Sequence, residues 1–247
     1  MGGRGGEIAQ THGKERVVLM QFGKGYAEVY DKIYANKDYR KEVEFLEFIF
    51  GYRGMHTIVD IGCGTGRHAE LLKERGYEIL GVEPSPYMAE IAKNRGINVH
   101  VGKVYDLDEF FDIAIAMFNV IGYIGPNRLE LVRTLEWVRD HCKIFIFDFW
   151  NAHVALNEGL KATARQVGDI IRSAVPSEFT WDNTVKVTIT VRAGQKKVIE
   201  THKIRFFFID ELYTLLRSVG WKEIDFYRPW EPYPPSENDF VVVCVCE

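Results

Sequence analysis

The stretch VDIGCGTGRH, Val59–His68, places three glycines within five positions directly after an apolar run. Glycine costs folding entropy, so such density requires either positive φ or a backbone free of side chains. Read outward, TIVDIG runs into GRHAELLKERG: a buried strand, a tight turn, then an amphipathic helix. That order brings a small ligand against bare backbone at a helix N-terminus.

The spacing is Gly62-x-Gly64-x-Gly66, preceded by Asp60. A dinucleotide fingerprint has its third glycine one residue later, and a carboxylate ahead of the turn would repel a pyrophosphate. Asp60 instead suits a ligand bearing an ammonium group, as the methionine end of S-adenosylmethionine does beside its sulfonium. The next strand, YEILGVE, ends at Glu83, seventeen positions after Gly66. A carboxylate at that strand end can accept both ribose hydroxyls.

Around this centre the chain alternates. Strands are expected near YEILGVE, INVHVG, FDIAIAMFN and CKIFIFDFW, and helices near SPYMAEIAKNRG and NRLELVRTLEWVRDH. Several strands are continuously apolar, as in a parallel sheet covered on both faces. The pattern predicts an α/β doubly wound, mostly parallel seven-stranded sheet. From Ala162 to Phe208 the runs become β-branched and alternating, an inserted antiparallel segment. A helix, IDELYTLLRSVG, and two strands, KEIDFYR and DFVVVCVCE, close the chain. The expected organisation is a mobile, glycine-rich tail over 1–25, with Met20 an alternative start, then a core from 26–160 and 203–247 with a leading helix. Residues 161–208 form the insertion that roofs the active site, overlapping the core at 203–208.

The 247 residues are 47% hydrophobic and 27% charged, with a net charge of -4, so composition gives no reason to expect nucleic acid. No apolar run is long enough to cross a bilayer and no signal peptide is visible. Cys63, Cys142, Cys244 and Cys246 make no disulfide framework, which fits a cytoplasmic protein. Cys244 and Cys246 share one strand face and read as core. His56, His68, His100, His141, His153 and His202 are scattered without ligand spacing, so no metal is expected.

VDIGCGTGRHAELL with GVEPSPYMAEIAK resembles motifs I and II of the class I S-adenosylmethionine-dependent methyltransferases. YDKIYANKDYRKEVEFL, MFNVIGYI, FIFDFWNAHV and ETHKIRFFF are similar to segments of a small-molecule subgroup that includes aminosugar N,N-dimethyltransferases. The resemblance implies S-adenosylmethionine as cofactor. It assigns Asp60 and the turn Gly62, Cys63, Gly64 and Gly66 to the methionine part, Glu83 to the ribose, and Pro84 and Met88 to the adenine walls. Tyr34 and Tyr39 match tyrosines that reach over the cofactor, and Phe118 falls in the matching MFNVIGYI segment. VGKVYD matches the adenine-edge segment but carries Lys103 where an acid is usual. Val104 is expected to offer its N–H to the adenine, and Asp106 to take the exocyclic amine.

For the acceptor, Asn119 and Tyr123 follow the fourth strand, while Trp150 and His153 follow the fifth. Trp181, His202 and Arg205 lie on the insertion. Tyr34, His202, Asn119 and Tyr123 are the candidate catalytic set, with His202, Phe206 and Phe208 facing inward by parity. The expected chemistry is metal-independent, in-line methyl transfer to an amine or hydroxyl of a small molecule, N-methylation favoured. The partner is that small-molecule acceptor, with no nucleic acid and no membrane, in a monomer or homodimer. An RNA methyltransferase and a non-catalytic cofactor-binding module are the alternatives; a nicotinamide-dependent oxidoreductase would not explain VDIGCGTG.

Overall fold

The computed structural model describes residues 16–18 (backbone only), 21–51 and 53–247. The elements run β1 (Arg16–Val18), α1 (Lys24–Ile33), α2 (Tyr39–Phe50), β2 (Thr57–Ile61), α3 (Arg67–Glu74), β3 (Glu78–Val82), α4 (Pro86–Asn94) and β4 (Asn98–His100). They continue with β5 (Phe111–Ala116), α5 (Val120–Ile124), α6 (Arg128–His141), β6 (Cys142–Trp150), α7 (Ala152–Glu158), β7 (Thr163–Val167), β8 (Ile170–Pro176), β9 (Thr184–Ala193) and β10 (Lys196–Arg205). Last come α8 (Ile209–Ser218), β11 (Ile224–Tyr227) and β12 (Val241–Cys246).

The main sheet has seven strands in the order β11-β12-β6-β5-β2-β3-β4, parallel except for β12, which runs antiparallel to both its neighbours. Strand parity splits its core in two. Val59, Ala114, Phe145 and Phe147 pack under α6 and α8, while Ile58, Ile113, Ile144 and Ile146 pack under α2 and α3. This is the doubly wound sheet the alternation predicts. Cys244 and Cys246 are buried in the first of these cores, their sulfurs 3.7 Å apart.

Local signals set the helix starts. Ser85 caps α4, accepting from Met88 N at 3.3 Å, with Pro86 at the first helical position. Asn127 caps α6 by accepting from Glu130 N, and Asp38 caps α2 by accepting from Lys41 N. The Asp38 cap divides the expected leading helix into α1 and α2.

The second sheet has the order β1-β10-β9-β8-β7, antiparallel from β10 to β7. Its fifth strand was not foreseen: Arg16–Val18 pairs in parallel with Val198–Glu200. The expectation of a mobile tail therefore does not describe this part. Phe22 and Gly23 are also tied down, each donating its backbone N–H to the buried Glu200 carboxylate at 3.0 and 2.9 Å. The rest of the tail, residues 1–15 and 19–20 with Met20, lies outside the described residues. Phe208 is 36% exposed and does not face inward, because β10 ends at Arg205 and Phe207 turns into the main core beside an isolated bridge to Asn151. Trp181 is 96% exposed.

Candidate active site

The three glycines of the turn after β2 all have positive φ: +66° at Gly62, +57° at Gly64 and +81° at Gly66. Their surroundings differ. A Cβ on Gly62 would approach Val120 to 2.8 Å, and one on Gly66 would approach Ala92 to 3.0 Å. A Cβ on Gly64 would meet nothing nearer than Met88 Cε at 3.9 Å. Gly62 and Gly66 are bare because protein packs there; Gly64 faces open space.

That space is a cavity of about 800 Å³ at the C-terminal edge of the parallel strands. Its floor includes Gly62, Gly64, Glu83, Pro84, Met88, Val104, Phe118 and Tyr123. Tyr30 and Tyr34 from α1, with Arg165, Arg172 and Ile189 from the second sheet, line it from above. Asp31 ties α1 to the turn, accepting from Thr65 Oγ1 at 2.6 Å, and Tyr34 sets its ring edge-on to Phe118 at 5.1 Å.

Glu83 anchors the floor. Its carboxylate accepts from Gly64 N at 2.9 Å and from Ser85 N at 2.8 Å, and burial raises its pKa against those bonds. Asp60 lies just beneath, 2% exposed, and its Oδ2 has no hydrogen-bond partner. Burial, then the nearby Glu83 charge, pushes the Asp60 carboxyl up to about 8. A buried carboxylate without a partner is costly unless a cation reaches it. The open face at Gly64, the orphaned Asp60 oxygen and the apolar slot of Met88 and Val104 together fit S-adenosylmethionine. Asp60, Glu83 and the Gly62–Gly64 backbone would hold it.

Several expected residues lie elsewhere. Tyr39 is buried away from the cavity, its ring 5.0 Å from His68 and under the Lys37 ammonium. Cys63 turns its sulfur to the space left by Gly81, and Gly66 faces Ala92. Asp106 does not line the cavity: its carboxylate accepts from Lys103 N at 2.8 Å, holding the turn from the outside.

Asn119 is fully buried at a left-handed corner, φ +61°, with Phe118 at +71° before it. Its Oδ1 accepts from Trp150 N at 3.2 Å, and its side chain fills the space above Gly122, so it supports the cavity wall without facing the cavity. Asp148, which the sequence reading passed over, holds the same corner by accepting from the Phe118 and Asn119 N–H groups. Burial raises its carboxyl to about 7.

His202 is 0% exposed and lies behind the wall. Its Nε2 is 2.8 Å from Glu200, its Nδ1 3.4 Å from the Tyr123 hydroxyl, and Phe22 covers it at 4.7 Å between ring centroids. Among the four candidate catalytic residues, Tyr34 and Tyr123 therefore meet the cavity, and Asn119 and His202 stand behind it. Arg165, Arg172, Tyr30 and Phe22 line the cavity and were not singled out from sequence. The parity of TARQV and IIRSAVP carried a signal for the two arginines, which share a face with Thr163 and Ala174.

Residues 58–143 match the profile of a methyltransferase domain family. Over 235 residues the chain is 26% identical to a glycine/sarcosine/dimethylglycine N-methyltransferase of Actinopolyspora halophila, covering 88% of this chain and 41% of that protein. It is 27% identical to the dTDP-4-amino-2,3,4,6-tetradeoxy-D-glucose N,N-dimethyltransferase of Saccharopolyspora spinosa, covering 79% of this chain and 84% of that one. An S-adenosylmethionine-dependent methyltransferase structure from Clostridium acetobutylicum superposes with a TM-score of 0.78 at 19% identity, covering 90% of this chain and 97% of that one. The matched segment spans the glycine turn and Glu83, where the geometry fits the cofactor, and it is there that the chain is similar to the S-adenosylmethionine-dependent methyltransferases.

Proposed function

We propose that the chain transfers a methyl group to an amine of a small molecule, in line and without a metal. The observation that carries this reading is that, among the described residues, the cavity wall offers no carboxylate or histidine free to act as a base. Glu83 is engaged by two backbone N–H groups, and Glu130 by Lys103 and the Asn127 side chain. His202 is shut behind Tyr123, and burial raises the Tyr123 and Tyr30 hydroxyls above their ordinary range, so both stay neutral at pH 7. S-adenosylmethionine supplies an electrophilic methyl on a sulfonium. A neutral amine attacks it unaided, whereas a hydroxyl needs a base or a metal. Among the described residues no group of three or more His, Cys, Asp or Glu is placed to hold a metal.

This chain's residues would bind, align and exclude water. The roof of Tyr30, Tyr34 and the second sheet encloses the reacting centre, and alignment in a dry cavity supplies much of such a rate enhancement. The two relatives named above are both N-methyltransferases by name, one of glycine derivatives and one of an aminosugar, which supports an amine acceptor. Among the described residues no helix is long and apolar enough to cross a membrane, and the four cysteines are free thiols. Work in the cytoplasm on a small-molecule acceptor, by a monomer or homodimer, is part of the same reading.

The test is incubation with S-adenosylmethionine and a panel of matched amine and alcohol pairs, read by mass spectrometry for methyl gain. Methylated amines with untouched alcohols are expected. Methylation confined to the alcohols, or retention on RNA with methyl transfer to it, overturns the reading.

A further inference from the structure

The inward face of the second sheet is apolar or small along most of its length, with Ala174, Val187, Ile189 and Ile204 lining the cavity. Two arginines interrupt it. Arg165 on β7 and Arg172 on β8 stand directly opposite each other in the antiparallel register, and both line the cavity. Like charges facing each other across a strand pair oppose the pairing. Among the described residues, neither guanidinium has a carboxylate partner. Arg172 donates from Nε to the Tyr26 hydroxyl at 3.2 Å, and Arg165 from Nη1 to the Ile33 carbonyl at 3.1 Å. The nearby acids are taken: Glu83 by backbone N–H groups, Asp31 by Arg95 and Thr65, Glu130 by Lys103. Lys161 adds a third cation to the same wall.

We propose that the amine acceptor carries an oxyanion, a phosphate or carboxylate, which Arg165 and Arg172 bind as a pair while the amine end reaches Tyr34 and Tyr123. This rests on the methyltransferase reading of the cavity. One anion between the two guanidiniums removes their mutual repulsion and occupies donors the protein leaves open, in the bidentate geometry that arginine favours. Arg165 is held by one neutral hydrogen bond, and Arg172 by one together with the Tyr34 ring, whose centroid lies 6.0 Å from its guanidinium carbon, so their remaining N–H groups keep a defined direction. The same cavity is lined by Glu83, and Asp60 lies buried beside that acid without itself lining the cavity; these are the acids that would serve the cofactor. The cavity is thus polarised, with a cationic ligand end on the floor and an anionic one under the roof.

The experiment is calorimetry on protein loaded with S-adenosylhomocysteine, at constant ionic strength, with pyrophosphate and succinate as probes. At least one probe is expected to bind the wild type. Arg165→Gln and Arg172→Gln should each weaken that binding tenfold or more, and Arg192→Gln, on the exposed face of the same sheet, should leave it unchanged. Arg172→Lys, which keeps charge but not the fork, should fall between. Preference for pyrophosphate identifies a phosphorylated acceptor, and preference for succinate a carboxylated one. If neither probe binds the loaded wild type, or the arginine variants bind it undiminished, the proposal fails. Failure of S-adenosylhomocysteine itself to bind would instead sink the methyltransferase reading beneath it. Arg165 is exposed on a short strand, so its variant tests the idea even if Arg172→Gln proves unstable.

Discussion

Gly64 donates its backbone N–H to the Glu83 carboxylate at 2.9 Å, so one acid fixes the glycine turn and lines the cavity. The second Glu83 oxygen accepts from Ser85 N, and each oxygen keeps a lone pair for a further donor. Two ribose hydroxyls would complete the carboxylate without displacing either backbone bond. Glu83→Ala should weaken S-adenosylmethionine binding by roughly 1–3 kcal/mol and lower the melting temperature as well, since two backbone donors lose their acceptor. Calorimetry and a thermal melt check both. Unchanged affinity in a folded variant would remove Glu83 from the cofactor site.

The glycines separate packing from binding. Gly62→Ala presses a methyl into Val120 at 2.8 Å and should lower stability. Gly64→Val points its side chain into the cavity, and its left-handed backbone costs about 1–2 kcal/mol. It should lose cofactor binding while circular dichroism shows the fold retained. Cofactor affinity retained in a folded Gly64→Val would remove the turn from the cofactor site, while global unfolding would show that the turn is structural and say nothing about function.

Asp60 gives the pH dependence. Its folded-state carboxyl is raised to about 8, against about 3.9 in an unfolded chain. The folded protein therefore holds a proton that the unfolded chain has lost throughout that window. The Asp60 contribution to stability falls as pH rises from about 4 to about 8 and is level above. A cationic ligand end beside Asp60 favours the charged form, so cofactor binding near pH 7 should release a proton. Calorimetry in two buffers of different ionisation enthalpy would register that release, and Asp60→Asn should abolish it. Equal proton release in Asp60→Asn would show that another group titrates.

The fold was legible because the strands announce themselves: Ile58 and Val59 alternate between two cores, and Ser85 and Asn127 open two of the expected helices. The placement of Glu83 against the glycine turn at the cavity was legible because it depends on local spacing. Residues whose role depends on distant pairing were not. Arg165 and Arg172 become neighbours only through the hairpin register, and His202 is hidden because Phe22, from a segment read as tail, packs over it. Phe208 failed because the parity rule was carried past Arg205, where the strand stops. Asp148 had a signal that went unused, a single acid inside the apolar run FIFDFW, which only a buried hydrogen-bonding duty explains.

Tyr34 is the residue whose role a single substitution can resolve. Its hydroxyl lies 3.3 Å from that of Tyr26, which accepts from Arg172 Nε at 3.2 Å. Either hydroxyl can donate across that contact, and the bond from Arg172 to the Tyr26 oxygen favours the arrangement in which Tyr26 donates to Tyr34. The Tyr34 oxygen then keeps a lone pair to accept an N–H from the acceptor amine, turning the nitrogen lone pair towards the methyl group. Such a bond steers without removing a proton, as a cavity lacking a free base requires. A neutral hydrogen bond of this kind is worth about 1 kcal/mol, so Tyr34→Phe should lower kcat about fivefold. The S-adenosylmethionine Kd should change less than twofold, since the ring still packs edge-on against Phe118 at 5.1 Å. Tyr123→Phe provides the comparison, because its hydroxyl lies 3.4 Å from His202 and outside the Tyr26–Tyr34 contact. If Tyr34→Phe leaves kcat unchanged and weakens only cofactor affinity, Tyr34 belongs to the cofactor site and the amine is oriented by Tyr123.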